Sequence, residues 1–420
     1  MFAPLRQILD LVVTSGCLDI VDAGGRRHSF GDRRGDAIAV RIADKRTERQ
    51  LALHPTLAVG EAYMDGRLIV ERGTVYDFVE LLAANLPGKE WPWPVRLFER
   101  LRFLTRRLWQ INFRSFAKRN VARHYDLDGR LYDLFLDEDR QYSCAYFERP
   151  NLSLDAAQAA KKRHLAAKLK LEDGMTVLDI GSGWGGLALY LAKTAHVRVT
   201  GVTLSENQLK IARERAQAMG LAKAVKFELR DYRDLDEQFD RIVSVGMFEH
   251  VGISHYGGFF DRIGKLLKPD GVALVHSIGR FDGPAAMNPF ITKYIFPGAH
   301  LPSLSEVLPA VERRQLFVTD IEIWRLHYAM TLRHWRQRFR ANWNTAVELY
   351  GERFCRMWEF YLAMCEAGFR YQNLMVFQLQ MTRDLNALPL TRDYMFEAEQ
   401  RMRQRDGEQG QPGRRRSTAS

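Results

Sequence analysis

Residues 177–186 read Val-Leu-Asp-Ile-Gly-Ser-Gly-Trp-Gly-Gly, and this stretch decides the fold. Four residues suited to a buried strand, 177–180, run directly into glycines at 181, 183, 185 and 186, and a helical pattern over 187–193 follows at once. Glycine accepts positive φ and lets a ligand approach the backbone. A strand, a tight turn and a helix N-terminus in succession make a nucleotide-binding corner.

Outward from that corner the pattern is β/α. Strands are predicted at 175–180, 197–202, 225–228, 241–245 and 272–277, with helices over 206–219 and 255–267. Ser205 followed by Gln208 is a capping-box signature for the first of these helices, and Lys268-Pro269-Asp270-Gly271 stops the second. Such alternation predicts an α/β fold built on a doubly wound, mostly parallel sheet. An irregular insertion spans 279–302, and late strands are expected at 319–324 and 374–381. Residues 1–90 read as a smaller α+β domain, with strands at 37–42 and 49–53 and a helix at 74–86. Pro87-Gly88 and Trp91-Pro92-Trp93-Pro94 mark its end. The division expected is therefore an N-terminal domain (1–90), a basic helical connector (91–130), a catalytic domain (131–395) and a disordered polar tail (396–420).

The chain of 420 residues carries a net charge of +11. That balance suits an anionic partner. No apolar run reaches the ~18 residues needed to span a bilayer, and the first residues lack the pattern of a signal peptide. The four cysteines have no metal-ligand spacing; free thiols in a reducing cytosol, and no metal, are expected. Arginines and lysines at 96, 100, 102, 106, 107, 114, 118, 119 and 123 face a single acid, Glu99, and are interleaved with bulky apolar residues. This is the composition of an interfacial helix on an anionic membrane, or of a packed helix with a solvated basic face. Nucleic-acid recognition motifs are absent, so no nucleic-acid partner is expected.

Gly181, Gly183 and Gly186 fit G-x-G-x-x-G, a weak signal alone. A dinucleotide site wants a carboxylate at the tip of the next strand, where this chain has Gly201-Val-Thr-Leu-Ser205, with Glu206 one turn later on the helix. There is no Walker lysine. S-adenosylmethionine carries no phosphate, and close glycine backbone suffices for its aminoacyl arm.

Several separated segments then sharpen the reading. They are Gln141-Tyr-Ser-Cys-Ala-Tyr-Phe147, the glycine corner, Gly201-Val-Thr-Leu-Ser-Glu-Asn-Gln208, Gly246-Met-Phe-Glu-His-Val-Gly252, His276-Ser-Ile-Gly279, Tyr294-Ile-Phe-Pro297 and His327-Tyr-Ala-Met-Thr-Leu332, with Gly60-Glu-Ala-Tyr-Met-Asp-Gly66 further upstream. Together they resemble the cyclopropane-fatty-acyl-phospholipid synthases and the related mycolic acid cyclopropane synthases. Ser182 departs from the cysteine common there. The resemblance implies a class I, Rossmann-like S-adenosylmethionine-dependent methyltransferase. Its reaction adds a methylene carbon to a cis double bond of an unsaturated phospholipid acyl chain, and a bound bicarbonate ion acts as base.

Carried over residue by residue, the resemblance assigns the bicarbonate site to Cys144, Glu249, His276, Ile278 (by its backbone) and Tyr328. Cys365 lies in another family-like segment and has a helix-core thiol as its bland reading. Gly181 and Gly183 are expected to line the aminoacyl arm, Thr203, Leu204 and Gln208 the ribose and adenine, and Tyr142 and Ser143 a segment closing over the cofactor. Asp231 and Tyr232 follow the third strand, where adenine usually rests in this fold class. His250 and His255 are expected at capping or surface positions. Residues 290–296 are a candidate acyl-tunnel lining, or core. The implied setting is cytoplasmic, peripheral on the inner face of the cell membrane, and the separate N-terminal domain is compatible with a homodimer. Two rivals stand beside this reading: a methyltransferase leaving a methyl or methylene branch, and a non-enzymatic lipid-binding protein.

Overall fold

The computed structural model describes residues 1–88, 96–97, 100–104 and 129–409. Most of the basic connector, and the chain beyond 409, lie outside the described residues.

The N-terminal part contains α1 (Ala3–Val12), β1 (Leu18–Val21), β2 (Arg27–Phe30), β3 (Ile38–Ile42), α2 (Lys45–Leu53), α3 (Pro55–Met64), β4 (Leu68–Arg72) and α4 (Val75–Asn85). Its strands form one sheet in the order β2-β1-β3-β4, with β1 and β3 parallel. Residues 49–53, expected as a strand, are helical. Asp44 accepts the Thr47 N–H at 2.7 Å and caps α2, and Thr47, Glu48, Leu51 and Ala52 bury a helical face. Leu53, at the end of the helix, faces outward. The expected helix over 74–86 is α4, opened by a capping box between Thr74 and Asp77.

The larger part continues with α5 (Gly129–Asp133), α6 (Leu154–Lys168), β5 (Thr176–Ile180), α7 (Gly186–Ala195), β6 (Arg198–Thr203), α8 (Glu206–Ala218), β7 (Val225–Leu229), β8 (Phe239–Val245), α9 (Tyr256–Leu266) and β9 (Leu267–Arg280). Then come α10 (Leu304–Glu312), β10 (Phe317–Trp324), α11 (His327–Ala341), α12 (Trp343–Tyr350), α13 (Glu352–Tyr371), β11 (Leu374–Thr382) and α14 (Asp393–Gln409). The sheet runs β10-β11-β9-β8-β5-β6-β7. β9 through β7 are parallel, and β11 and β10 add antiparallel neighbours. β9 is longer than the sequence suggested, because β11 pairs with it from Val272 to Arg280 and satisfies its backbone past the end of β8.

Apolar clusters pack both faces of this sheet, from α6, α7 and α8 on one side and from α9 and α10 on the other. A third cluster is continuous from α1–α4 into α11 and α13, so the N-terminal part shares its core with these helices. The segment 396–409, expected to be disordered, is helical. Its composition is polar, but Met395 and Met402 bury one seven-residue stripe, and four side chains pair with the body: Glu399 with His164, Arg403 with Glu148, Asp406 with Arg163, and Arg405 with the Thr194 carbonyl.

Gly60 on α3 sits at the seam between the two parts. A Cβ there would stand 2.5 Å from the Phe290 ring and 2.7 Å from the Phe360 ring. Gly60→Ala is expected to destabilise the protein by about 1–3 kcal/mol, read as a lower urea midpoint; an unchanged midpoint would mean that the seam is loosely packed.

Candidate active site

β5 lies between β6 and β8. The chain winds outward through β6 and β7, then returns to β8 on the other side, so a crevice opens at the carboxyl ends of β5 and β8, where such sheets bind ligands. Gly181 ends β5 with φ +83°, and a Cβ there would come within 3.0 Å of the Met247 side chain. Gly183 follows at φ +53° with open space around it. Inside β5, Asp179 is buried and its Oδ2 has no partner; burial raises its pKa to about 7. The neighbouring Ser182 Oγ is also buried and unpartnered. A cradle of bare glycine backbone with open buried polar atoms fits the aminoacyl end of S-adenosylmethionine.

At the tip of β6, Ser205 caps α8 by accepting the Gln208 N–H at 3.3 Å. The Gln208 side chain instead meets Thr203, whose hydroxyl donates to Oε1 at 3.0 Å. Leu204 stands half-buried between them. Asp231 caps the turn after β7 and holds the Arg233 guanidinium, and Tyr232 packs edge-on against Phe259 at 5.5 Å.

Past the crevice lies a cavity of about 850 Å³. Its wall includes Tyr142, Ser143, Cys144, Glu249, His276, Ile278, Tyr328 and Cys365. Thus residues from five distant segments, expected from motif matching alone, meet in one cavity. The seven expected cofactor residues on β5, β6 and β7 lie outside this lining, along the carboxyl edge. Ile291, Phe296, Leu301, Met364, Phe369 and Leu374 make much of the remainder apolar. Within 290–296, Ile291 and Phe296 face the cavity, while Phe290 packs into the seam.

Glu249 sits in a short 3-10 turn after β8 and is 5 % exposed. Its Oε1 accepts the Ile278 N–H at 2.7 Å; its Oε2 has no partner. Desolvation raises its pKa to about 7. His276 lies within β9 rather than at its end, opposite Gln378 on β11. Burial drives its pKa down to about 3, so the ring is neutral. The Gln378 amide lies 3.2 Å from Nδ1; with the amide donating, the ring proton resides on Nε2. Tyr328 opens α11 and packs against Phe369 at 4.8 Å. Burial pushes the Cys144 thiol well above its usual range and Cys365 up to about 12. Neither is a thiolate at neutral pH, which disfavours a cysteine nucleophile.

Sequence reasoning missed other members of this wall. His250, expected at a cap or on the surface, lines the cavity beside Glu249, and burial lowers its pKa to about 4. His255 does occupy the position before α9 but makes no capping bond there. Tyr361 on α13 meets the Tyr142 hydroxyl at 3.0 Å. Asp179 and Lys161 were also passed over. An acid inside a strand and a lysine within a run of helical cations carry no local sign of burial; the Asp-x-Gly-x-Gly order was the available signal for the first.

The chain was compared with known proteins. The family model "Mycolic acid cyclopropane synthetase" matches residues 114–379. Cyclopropane-fatty-acyl-phospholipid synthase of Escherichia coli K12 is 38% identical over 354 residues, which is 84% of this chain and 90% of that protein. Tuberculostearic acid methyltransferase UfaA1 of Mycobacterium tuberculosis is 35% identical over 90% of this chain and 91% of its own. Among solved structures, mycolic acid cyclopropane synthase CmaA1 complexed with SAH and CTAB superposes with a TM-score of 0.60 at 35% identity, covering 63% of this chain and 97% of that one. The glycine corner and the doubly wound sheet agree with these likenesses, and the chain belongs to the mycolic acid cyclopropane synthetase family, as an S-adenosylmethionine-dependent methyltransferase of the cyclopropane synthase type.

Proposed function

We propose that the protein adds a methylene carbon to a cis double bond of an unsaturated phospholipid acyl chain, closing a cyclopropane ring. The observation that carries this reading is a cavity in which Glu249, His276 and Tyr328 share the lining with Ile291, Phe296, Met364, Phe369 and Leu374. An alkene is a weak nucleophile and needs in-line contact with its electrophile in the absence of water. S-adenosylmethionine supplies an electrophilic methyl group. The apolar wall would hold the alkene against it and exclude water.

Methyl transfer to the alkene leaves a cation that must lose a proton for the ring to close. Bicarbonate, when bound, supplies a base for that proton. The residues fit such an anion: His276 offers Nε2–H, Tyr328 a hydroxyl, and Glu249 an unpartnered Oε2 that is protonated below about pH 7. Ile278 was expected to hold the ion through its backbone, but its N–H is engaged by Glu249; its part is to fix that carboxyl. Glu249 also suits a proton store, since its pKa lies near neutrality. Cys144 would border the ion, Tyr142 and Ser143 would close the cofactor side, and Thr203, Leu204, Gln208, Asp231 and Tyr232 would border ribose and adenine.

An anionic membrane surface suits the chemistry of the substrate and the net charge of +11. Leu97, Leu101 and Leu104 are exposed on the described part of the connector, with Arg96 and Arg100 among them, and Phe103 and Arg102 reach the cavity mouth. No helix of the described residues is long and apolar enough to cross a membrane. Peripheral docking on the inner leaflet from the cytoplasm follows as the working placement. A methyl- or methylene-branched product is the second reading, favoured by the likeness to UfaA1 over 90% of the chain; both products share the first carbon–carbon bond.

Purified protein with S-adenosylmethionine and unsaturated phospholipid vesicles is expected to yield acyl chains heavier by one CH2, with ring protons far upfield in the proton NMR spectrum. Vinyl or methyl-branch signals instead would select the second reading, and no mass gain despite donor binding would defeat both. Glu249→Gln is expected to lower turnover at least about 100-fold while lipid and donor binding persist.

The same variant tests the carboxyl's burial. Its folded pKa, about 7, lies above the ordinary glutamate value of 4.5, so the folded state holds the proton more tightly. Wild-type stability should therefore fall as pH rises from 4.5 to 7, by on the order of 2–3 kcal/mol relative to Glu249→Gln. Parallel denaturation profiles for the two proteins across this window would show that Glu249 is hydrated.

A further inference from the structure

Lys161 is a lysine with no exposed surface, at the middle of α6. Its Nζ donates to Gln141 Oε1 and to Ser143 Oγ, each at 2.7 Å. One turn earlier Gln158, equally buried, donates from Nε2 to the carbonyls of Gln141 and Ser143, at 3.1 and 3.0 Å. Two adjacent side chains of one helix thus clamp the loop that carries Tyr142, Ser143 and Cys144 into the cavity. The same loop abuts the glycine corner: a Cβ on Gly186 would meet Gln141 Nε2 at 2.3 Å and the Asp139 carboxylate at 2.6 Å.

The polarity of the Lys161–Ser143 bond has a chemical consequence. An ammonium group has donors only, so Ser143 Oγ must accept, and its own hydrogen is left for another acceptor. The Gln158 Oε1 does not take it, being without a partner. Ser143 lines the cavity, so its hydroxyl is held there as a donor, with a buried positive charge behind it. Within β5 stands the buried carboxyl of Asp179, whose Oδ2 is open and on which the Lys161 charge acts. A buried acid with a free oxygen and a hydroxyl backed by a buried cation complement a zwitterion, the form of an α-amino acid end.

We infer that Lys161 is a positioning residue that holds Ser143 as a hydrogen-bond donor to the carboxylate of the aminoacyl arm of S-adenosylmethionine. Burial lowers the Lys161 pKa only to about 8, so the group stays cationic at neutral pH. The inference rests on S-adenosylmethionine as donor and not on the acyl substrate, so it stands or falls apart from the lipid product assay.

Titration calorimetry compares S-adenosylmethionine with its decarboxylated analogue, which keeps the sulfonium, the adenosine and the amine and lacks only the carboxylate. Wild-type protein should prefer the intact donor by roughly 10- to 100-fold, the range of a charged hydrogen bond. In Lys161→Met that preference should shrink to about threefold or less, chiefly through weaker binding of the intact donor. A structural role alone would weaken both ligands together and keep their ratio, and that result overturns the proposal. Ser143→Ala removes the hydroxyl without touching the buried charge and should collapse the ratio likewise. A wild-type ratio in folded Ser143→Ala overturns the proposal whether or not Lys161→Met folds.

Discussion

The bond between the Ile278 N–H and Glu249 Oε1, 2.7 Å long, ties the end of β8 to the outer half of β9 and holds a buried carboxyl group in the wall of the cavity. Desolvation is the dominant force on the ionisable groups there. It raises Glu249 and Asp179 to near neutrality, holds His276 and His250 neutral, and keeps Cys144 and Cys365 as thiols. In such surroundings each remaining charge acts at long range. Lys161 is such a charge: its field reaches Asp179, Cys144 and His276.

The chamber's far wall depends on the N-terminal part. The bare backbone of Gly60 allows Phe290 to approach α3, and Glu61 on the same helix accepts from Lys293 at 2.6 Å and from the Tyr294 hydroxyl at 2.8 Å. These contacts brace the π-helical turn Ile291–Ile295, whose Ile291 and neighbouring Phe296 face the cavity. Tyr63, one turn along, donates to Glu359 on α13 at 2.7 Å, and α13 supplies Tyr361, Met364 and Cys365 to the same wall. The small sheet and its helices thereby support this wall of the cavity.

Much was legible locally. The glycine corner, the strand–helix alternation and the Ser205 cap each depend on neighbours in sequence, and each stands in the structure within a residue or two. What failed depended on partners far away. Residues 49–53 alternate like a strand until the Asp44 cap and the buried face of α2 are counted. The 396–409 segment has the composition of a disordered tail, yet His164, Glu148 and Arg163 of another region hold it as a helix. His276 seemed to end a strand because the extension of β9 is paid for by hydrogen bonds from β11, a hundred residues on.

The sequence by itself determined the doubly wound sheet, the glycine corner after its first parallel strand and the identities of the chemical groups, because strand periodicity and glycine's freedom at positive φ are short-range properties. The tertiary structure alone decided the protonation of those groups, the partner of the Ile278 N–H and the burial of Lys161 beside Ser143. Each of these is fixed by how completely distant segments exclude water, and no local stretch of chain carries that quantity.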